Sequence, residues 1–334
     1  MNKIRIAQIG AGHDHATSIF RCIAKQKDVF EVVGYALPEG EEEKFPHNLK
    51  CFEGYKRLTV DEIMADKTIT AVTIETEEVN LTKYALLAAR NGKQIHMDKP
   101  GGTDYSEFKK LIDTVKENQL VFHLGYMYRY NPYVIELIED IKSGKLGEIY
   151  SVEAQMNCKH NVHKRNWLGT FKGGMLFFLG CHLIDLIFQI QGEPENIIPL
   201  SRSTKIDGVT GEDFGMVVFE YKNGVSFAKT CAEEIGGFER RQLVVCGSKG
   251  TVELKPLEWY SDISKGLQFT KKNECVSENW GTPGVVSKTD SFDRYDTMMY
   301  SFADMCKGLK KNPLSYDYEL RLYEILLKSC GVEF

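Results

Sequence analysis

Apolar and polar positions change rhythm along this chain, and the change divides it in two. In the first stretch, short apolar runs alternate with longer segments of helical period. Ile4, Ile6 and Ile9 predict a strand, and a helix follows through Ile19, Phe20, Ile23 and Ala24. Phe30 to Ala36 is the second strand, and Thr59 caps a short helix reaching Met64, with Glu62 three residues on to close a capping box. Ile69 to Ile74 reads as a strand, Val79 to Asn91 as a helix closed by Gly92, and Gln94 to Met97 as another strand. Thr103 caps a helix through Asn118, and Leu120 to Gly125 is expected as the sixth strand. Strands alternating with helices predict a doubly wound parallel α/β sheet over residues 1–124.

Beyond Pro132 the rhythm is different. Tyr133 to Ser143 is helical and ended by Gly144, after which strand patterns dominate: Ile149 to Gln155, Gly215 to Tyr221, Val225 to Cys231, Arg240 to Cys246 and Gly250 to Lys255. Lys222-Asn223-Gly224 and Ser248-Lys249-Gly250 are hairpin turns, and consecutive hairpins build an antiparallel sheet. Helix returns at Tyr295 to Leu309 and Tyr318 to Lys328. Residues 125–334 are therefore expected as an α+β domain around a large open antiparallel sheet.

Composition narrows the class. The 334 residues are enough for two domains, and 43% apolar with 11% aromatic residues fill ordinary cores. A net charge of -5 without a long basic run argues against nucleic acid or an anionic membrane as the main partner. No run approaches the roughly 18 apolar residues of a membrane span, and the start of the chain lacks a signal-peptide core. Nine scattered cysteines without a Cys-x-x-Cys pair read as reduced packing residues, with neither disulfides nor a zinc site, and a cytoplasmic location is expected. His160 and His163, three apart, have no third metal ligand in reach, so no metal is expected. The acidic cluster from Glu39 to Lys44 reads as a solvated loop.

Two segments carry candidate chemistry. The first strand runs into Gly10-Ala11-Gly12-His13-Asp14-His15 and then a helix, the context in which glycines let backbone approach a pyrophosphate. His15 stands where a third glycine belongs in the dinucleotide fingerprint. The second strand ends at Leu37-Pro38, where an acid that holds ribose hydroxyls is expected, and Glu39 follows. NAD or NADP is the expected cofactor, with NAD favoured by the acidity of that loop. The second segment is Asp98-Lys99-Pro100. Pro100 ends the strand and holds Lys99 at its carboxyl edge, where open α/β sheets bind ligands. A lysine displayed there can hold a substrate hydroxyl and accept its proton, although the tripeptide by itself reads sooner as an ordinary surface lysine before a turn.

Four motifs in order, Ile9-Gly10-Ala11-Gly12, Asp98-Lys99-Pro100, Gly125-Tyr126-Met127-Tyr128-Arg129-Tyr130-Asn131-Pro132 and Gly180-Cys181-His182-Leu183-Ile184-Asp185, resemble the Gfo/Idh/MocA oxidoreductase family over essentially the whole chain. That family includes glucose-fructose oxidoreductase and inositol dehydrogenase. The resemblance implies a Rossmann domain holding NAD(P) through Gly10, Ala11, Gly12, His13, His15, Glu39, Thr76, Lys99 and Pro100. It implies hydride transfer at a hydroxyl carbon of a sugar, polyol or glycoside, with Lys99 and His182 converging on that hydroxyl. It also implies a homodimer or homotetramer formed through the antiparallel sheet. On spacing alone His182, before an apolar helix, reads as a core histidine; the resemblance makes it the base. Asp185, three residues on, either orients that imidazole or bonds a nearby loop. Arg129, Asn131, His163, Trp167, Phe178 and Asp185 are expected at the substrate, Trp167 stacking on a sugar ring, though the loop from Lys159 to Trp167 reads equally as solvated surface.

One departure stands out. The family carries an Asp four residues before this His, and here the position is Phe178. Phe accepts neither a proton nor a sugar hydroxyl, so either Lys99 and His182 suffice, another group substitutes, or the substrate offers an apolar face such as an aglycone. Two other functions stay open: an NAD-retaining hydrolase or lyase working through transient sugar oxidation, and a redox-inert dinucleotide-binding regulator.

Overall fold

The alternating first stretch folds as its pattern requires. A computed structural model describes residues 2–334, which form two units. The first runs to Met127 and takes in Tyr295–Tyr323; the second comprises Tyr128–Arg294 and Glu324–Phe334.

In the first unit, strands β1 (Ile4–Ile9), β2 (Phe30–Ala36), β3 (Ala71–Ile74), β4 (Gln94–Met97) and β5 (Phe122–Leu124) are all parallel, in the order β2-β1-β3-β4-β5. The segment expected as a sixth strand is thus the fifth, because four strands precede it. Helices α1 (Ala16–Lys25), α2 (Glu41–Lys44), α3 (Val60–Ala65), α4 (Leu81–Arg90) and α5 (Tyr105–Glu117) lie in the connections. Thr59 and Glu62 form the expected capping box. The cap of α5 is Asp104, which accepts from the Glu107 amide at 2.9 Å; a carboxylate at that spacing displaces the expected Thr103. The inner strands of this sheet are buried on both faces, as β3 (Ala-Val-Thr-Ile) demonstrates with four buried residues in four.

The second unit opens with α6 (Pro132–Lys142) and is built on an eight-stranded sheet: β6 (Ile149–Asn157), β7 (Asn196–Pro199), β8 (Phe214–Tyr221), β9 (Gly224–Cys231), β10 (Gln242–Gly247), β11 (Gly250–Leu254), and two later strands. Helix α7 (Val162–Trp167), one wide turn at Leu176–Gly180 and α8 (Cys181–Gln191) lie between β6 and β7 in the chain. Both expected hairpins form, Tyr221 pairing with Gly224 and Gly247 with Gly250. The sheet is mixed rather than wholly antiparallel, because β6 pairs parallel with β9. Its alternate residues Val152, Ala154, Val217, Phe219, Ala228, Leu243 and Val245 are buried on one face. A small sheet of β12 (Trp259–Asp262), β13 (Leu267–Phe269) and β16 (Phe292–Asp293) follows, with β14 (Lys271–Cys275) and β15 (Val285–Lys288) completing the large one. Helices α9 (Asp296–Cys306) and α10 (Tyr316–Ser329) end the chain. All nine cysteines are unbridged, and among the described residues no helix is long and apolar enough to cross a membrane.

Candidate functional site

The register of the parallel sheet assembles the site in the first unit. Pairing of Ile74 with Met97 puts Glu75, Thr76 and Glu77 beside Asp98 and Lys99, and pairing of Ile9 with Ile74 brings the glycine turn alongside. Gly10 has φ +101° and its amide donates to Ala36 at 2.8 Å; a Cβ there would stand 2.4 Å from the Thr76 nitrogen. At Gly12 a Cβ would meet the Glu77 nitrogen at 2.6 Å and Glu41 Oε1 at 2.7 Å. Only glycine fits either place.

Buried histidines and acids fill the space beneath. His13 Nδ1 accepts from the His15 amide at 3.1 Å, which leaves Nε2 to donate to the Lys99 carbonyl at 3.1 Å. Asp98 accepts from the Lys99 amide at 2.7 Å and lies 3.1 Å from His15 Nδ1. Lys99 is thereby held through its own backbone by Asp98 and His13, and Pro100 follows, also buried. Burial pushes the Asp98 carboxyl up, but the His13 and His15 rings outweigh it and hold the group well below its ordinary value. Glu75 goes the other way. Burial and then the neighbouring Asp98 charge raise it well above the carboxylate range, and both of its buried carboxyl oxygens lack a hydrogen-bond partner among the described residues. Burial lowers His15 and His96 to about 4, so both rings are neutral at pH 7. Ligand atoms of Glu75, His96 and Asp98 lie within 4.8 Å of one another, close enough to ligate a cation.

Glu41 was hidden in what read as a solvated acidic loop. It is fully buried, accepting from the Ala11 amide at 2.7 Å and the Glu77 amide at 3.2 Å. Burial raises it to about 7 against the opposing pull of those two amides. Asn48 Nδ2 donates to the Ala11 carbonyl at 2.7 Å, and Lys44 pairs with Glu77 at 2.8 Å. Glu39, expected at the ribose, instead accepts from Lys83 at 2.5 Å and Tyr84 Oη at 2.7 Å, which together lower it. Its backbone at φ +58° turns the side chain toward α4. Thr76 is buried beside Glu77. The glycine cradle and the amides of Ala11 and Glu77 fit a dinucleotide's oxygens, since the cradle already holds a carboxylate on those donors.

In the second unit, His182 is buried in the first turn of α8, its ring edge-to-face with Tyr128 at 5.0 Å. Tyr128 Oη donates to Glu258, which also pairs with Arg241 and, at 3.3 Å, with Arg294. Burial raises Tyr128; Glu258 is pushed up by burial and pulled further down by Arg294 and Arg241. Arg129 forks onto Asp185 through Nε at 2.9 Å and Nη2 at 2.8 Å, and Gln189 adds a 3.0 Å bond. Those two expected substrate groups therefore bind each other. Asn131 is also corrected: its Oδ1 caps α6 on Tyr133 and Val134, and its Nδ2 donates to Leu257 and Thr270, so the side chain is structural. His163 is exposed on α7. Trp167 stands edge-on to Phe178 at 5.4 Å, and Lys164 Nζ lies 3.7 Å over Trp167 and 4.5 Å over Phe178. The loop's other cations are committed to acids: Lys159 to Glu233, and the fully buried Arg165 to Asp213 at 2.9 Å and Asp207 at 3.1 Å.

Family models match both parts of the chain: the oxidoreductase family with NAD-binding Rossmann fold over residues 4–126, and the GFO/IDH/MocA C-terminal domain over residues 134–253. The chain belongs to the GFO/IDH/MocA oxidoreductase family. Trans-1,2-dihydrobenzene-1,2-diol dehydrogenase of Bos taurus is 24% identical over 95% of this chain and 93% of its own length. Oxidoreductase P35 of Formosa agariphila is 30% identical over 50% of this chain and 54% of its own, so the match spans about half the length of some curated relatives. Among solved structures, levoglucosan dehydrogenase in complex with NADH and levoglucosan superposes with a TM-score of 0.78 at 17% identity, over 99% of this chain and 98% of that one.

Proposed function

We propose that this chain is an NAD(P)-dependent oxidoreductase acting on the hydroxyl-bearing carbon of a sugar, polyol or glycoside. The observation that carries it is Lys99, fixed at the carboxyl edge of β4 by Asp98 and His13 beside a glycine turn that tolerates no side chain. Bound nicotinamide supplies the hydride acceptor or donor. The chain's own part is proton transfer and orientation: Lys99 holds the reacting hydroxyl, and His182 takes or returns its proton. Tyr128, packed against the His182 ring, fixes that ring's plane. Phe178 and Trp167 offer an aromatic surface where the family has a carboxylate, which suits a substrate with an apolar ring face. The names of two relatives, a dihydrodiol dehydrogenase and a levoglucosan dehydrogenase, are in keeping with cyclic hydroxyl substrates. We place the molecule in the cytoplasm as a homodimer or homotetramer joined through the large sheet, whose outer face carries Val225 and Tyr150 about half exposed.

The test is nicotinamide absorbance with NAD and NADP against a panel of sugars, polyols, aryl glycosides and cyclic diols. Lys99→Ala and His182→Ala should each lower kcat by about 10²–10⁴-fold, with circular dichroism unchanged. Substrate turnover without net change in nicotinamide would move the assignment to the NAD-retaining hydrolase or lyase. Turnover unaffected by both substitutions would overturn it.

A further inference from the structure

In the first unit, the anion cradle at the glycine turn holds a carboxylate of the chain itself. Both oxygens of Glu41 are used: Oε2 takes the Ala11 amide from the first βα turn, and Oε1 takes the Glu77 amide from the turn after β3. Gly12 is the residue whose missing side chain makes room, since a Cβ there would meet Glu41 Oε1 at 2.7 Å. The carboxylate is fully buried, so the segment carrying it lies closed over the turn. Further polar bonds strap that segment down: Lys44 Nζ to Glu77 Oε2 at 2.8 Å, Asn48 Nδ2 to the Ala11 carbonyl at 2.7 Å, and an exposed fork of Arg57 onto Glu42 at 2.8 and 2.6 Å.

The segment also has the means to lift. It begins at two successive residues in the left-handed region, Glu39 at φ +58° and Gly40 at φ +70°, and α2 itself is only four residues long. A non-glycine residue in that region is strained and is released by rotation of the hinge. Nothing apolar on α2 itself is buried against the sheet; its one buried residue is Glu41. α2 is held closed by polar bonds, and a competing anion replaces the two on the cradle amides one for one.

We propose that Glu41 is an internal competitor for the dinucleotide: it caps the Ala11 and Glu77 amides, and a dinucleotide's ribose or diphosphate oxygens take them over only when the 39–45 segment swings out about Glu39–Gly40. The inference rests on the dinucleotide-binding reading and adds to it a built-in brake on loading. Affinity measured in solution is then the intrinsic affinity reduced by the fraction of chains with the segment open. The brake acts on NAD and NADP alike, because both carry the same diphosphate.

The experiment is calorimetric titration of the full chain with NAD+ and NADP+, alongside hydrogen exchange over residues 39–45. Glu41→Ala should tighten binding of both by about tenfold, and Lys44→Ala, which loosens the strap without touching the cradle, should move affinity the same way by a smaller factor. Adding NAD+ to the wild type should speed exchange over 39–45. Weaker binding in Glu41→Ala and Lys44→Ala would overturn the proposal and make Glu41 a ligand to the dinucleotide. Unchanged binding with unchanged exchange would make it a structural staple. Absence of binding in wild type and in both variants would instead defeat the dinucleotide reading itself, and the two failures are told apart by that result. Circular dichroism of each variant excludes misfolding, and Lys44→Ala alone decides the outcome if Glu41→Ala does not fold.

Discussion

Both units bury charge, but they hold it differently. In the first, acids sit on backbone amides and beside histidine rings: Glu41 on the Ala11 and Glu77 amides, Asp98 on the Lys99 amide and His15. In the second, acids are gripped by guanidinium groups: Asp185 by the fork of Arg129, Glu258 by Arg241 and Arg294, Asp213 by Arg165. An amide can be surrendered to an incoming ligand at small cost, because a neutral donor is left behind. A buried guanidinium cannot lose its carboxylate without leaving a full charge in a medium that solvates it poorly. The first arrangement is suited to exchange and the second to fixing side chains beside His182.

The sharpest way to break that contrast is to remove one partner in each unit. Asp185→Ala strands Arg129 and should destabilise the protein by about 3–5 kcal/mol in urea unfolding, while Arg129→Met with Asp185→Leu should recover most of the loss. A single-substitution cost below about 1 kcal/mol would show that the fork is not fixed. In the first unit the two neighbouring carboxyls should behave unequally at pH 7. Asp98→Asn removes an ionised acceptor and should cost about 3 kcal/mol; Glu75→Gln replaces a group that already carries its proton and should cost under about 1 kcal/mol. Equal costs would mean that burial and the histidine rings do not drive the two carboxyls in opposite directions.

How much of this was legible in the sequence follows the same division. The parallel sheet, the glycine turn and the exposed hairpins are set by local signals: a period of two, a period of 3.6, and glycines at turns. Lys99 and His182 were named from motif and resemblance, and the structure adds their surroundings. What stayed hidden depends on strands paired across long stretches of chain. Glu75 beside Asp98 follows from the register of β3 with β4, and no window of sequence contains both. Glu41 looked like one of four acids in a solvated run; its neighbours Glu42 and Glu43 are indeed at the surface, and the hinge at Gly40 turns Glu41 inward. Arg129 and Asp185 were each assigned to a substrate because their mutual fork spans 56 positions. Asn131 announced its role locally, standing directly before Pro132 at a helix start, where capping was the simpler reading.

Glu39 and Glu41, two residues apart, give the finest test, because their pH dependences have opposite signs. Glu41 is raised to about 7 in the folded chain from an ordinary 4.5, chiefly by burial, with Glu77 adding to the rise and Lys44 opposing it. The folded state therefore holds this proton more tightly than the unfolded one. Its contribution is fully present below about pH 4.5 and is lost as pH climbs through 7, a change of at most roughly 3 kcal/mol. Glu39 is lowered by Lys83 and Tyr84, so its contribution is present above about pH 4.5 and disappears as pH falls; being partly exposed and screened, it is worth only a few tenths to about 1 kcal/mol. Thermal melts of wild type, Glu41→Gln and Glu39→Gln from pH 4 to 8 separate the two, since other titrating groups cancel in the differences. The stability advantage of wild type over Glu41→Gln should shrink steadily from pH 5 to 8, whereas that over Glu39→Gln should be small, flat above pH 5 and weakened by salt. A flat Glu41 difference would place its carboxylate in contact with water and remove the buried charge on which the first unit's exchangeable character depends.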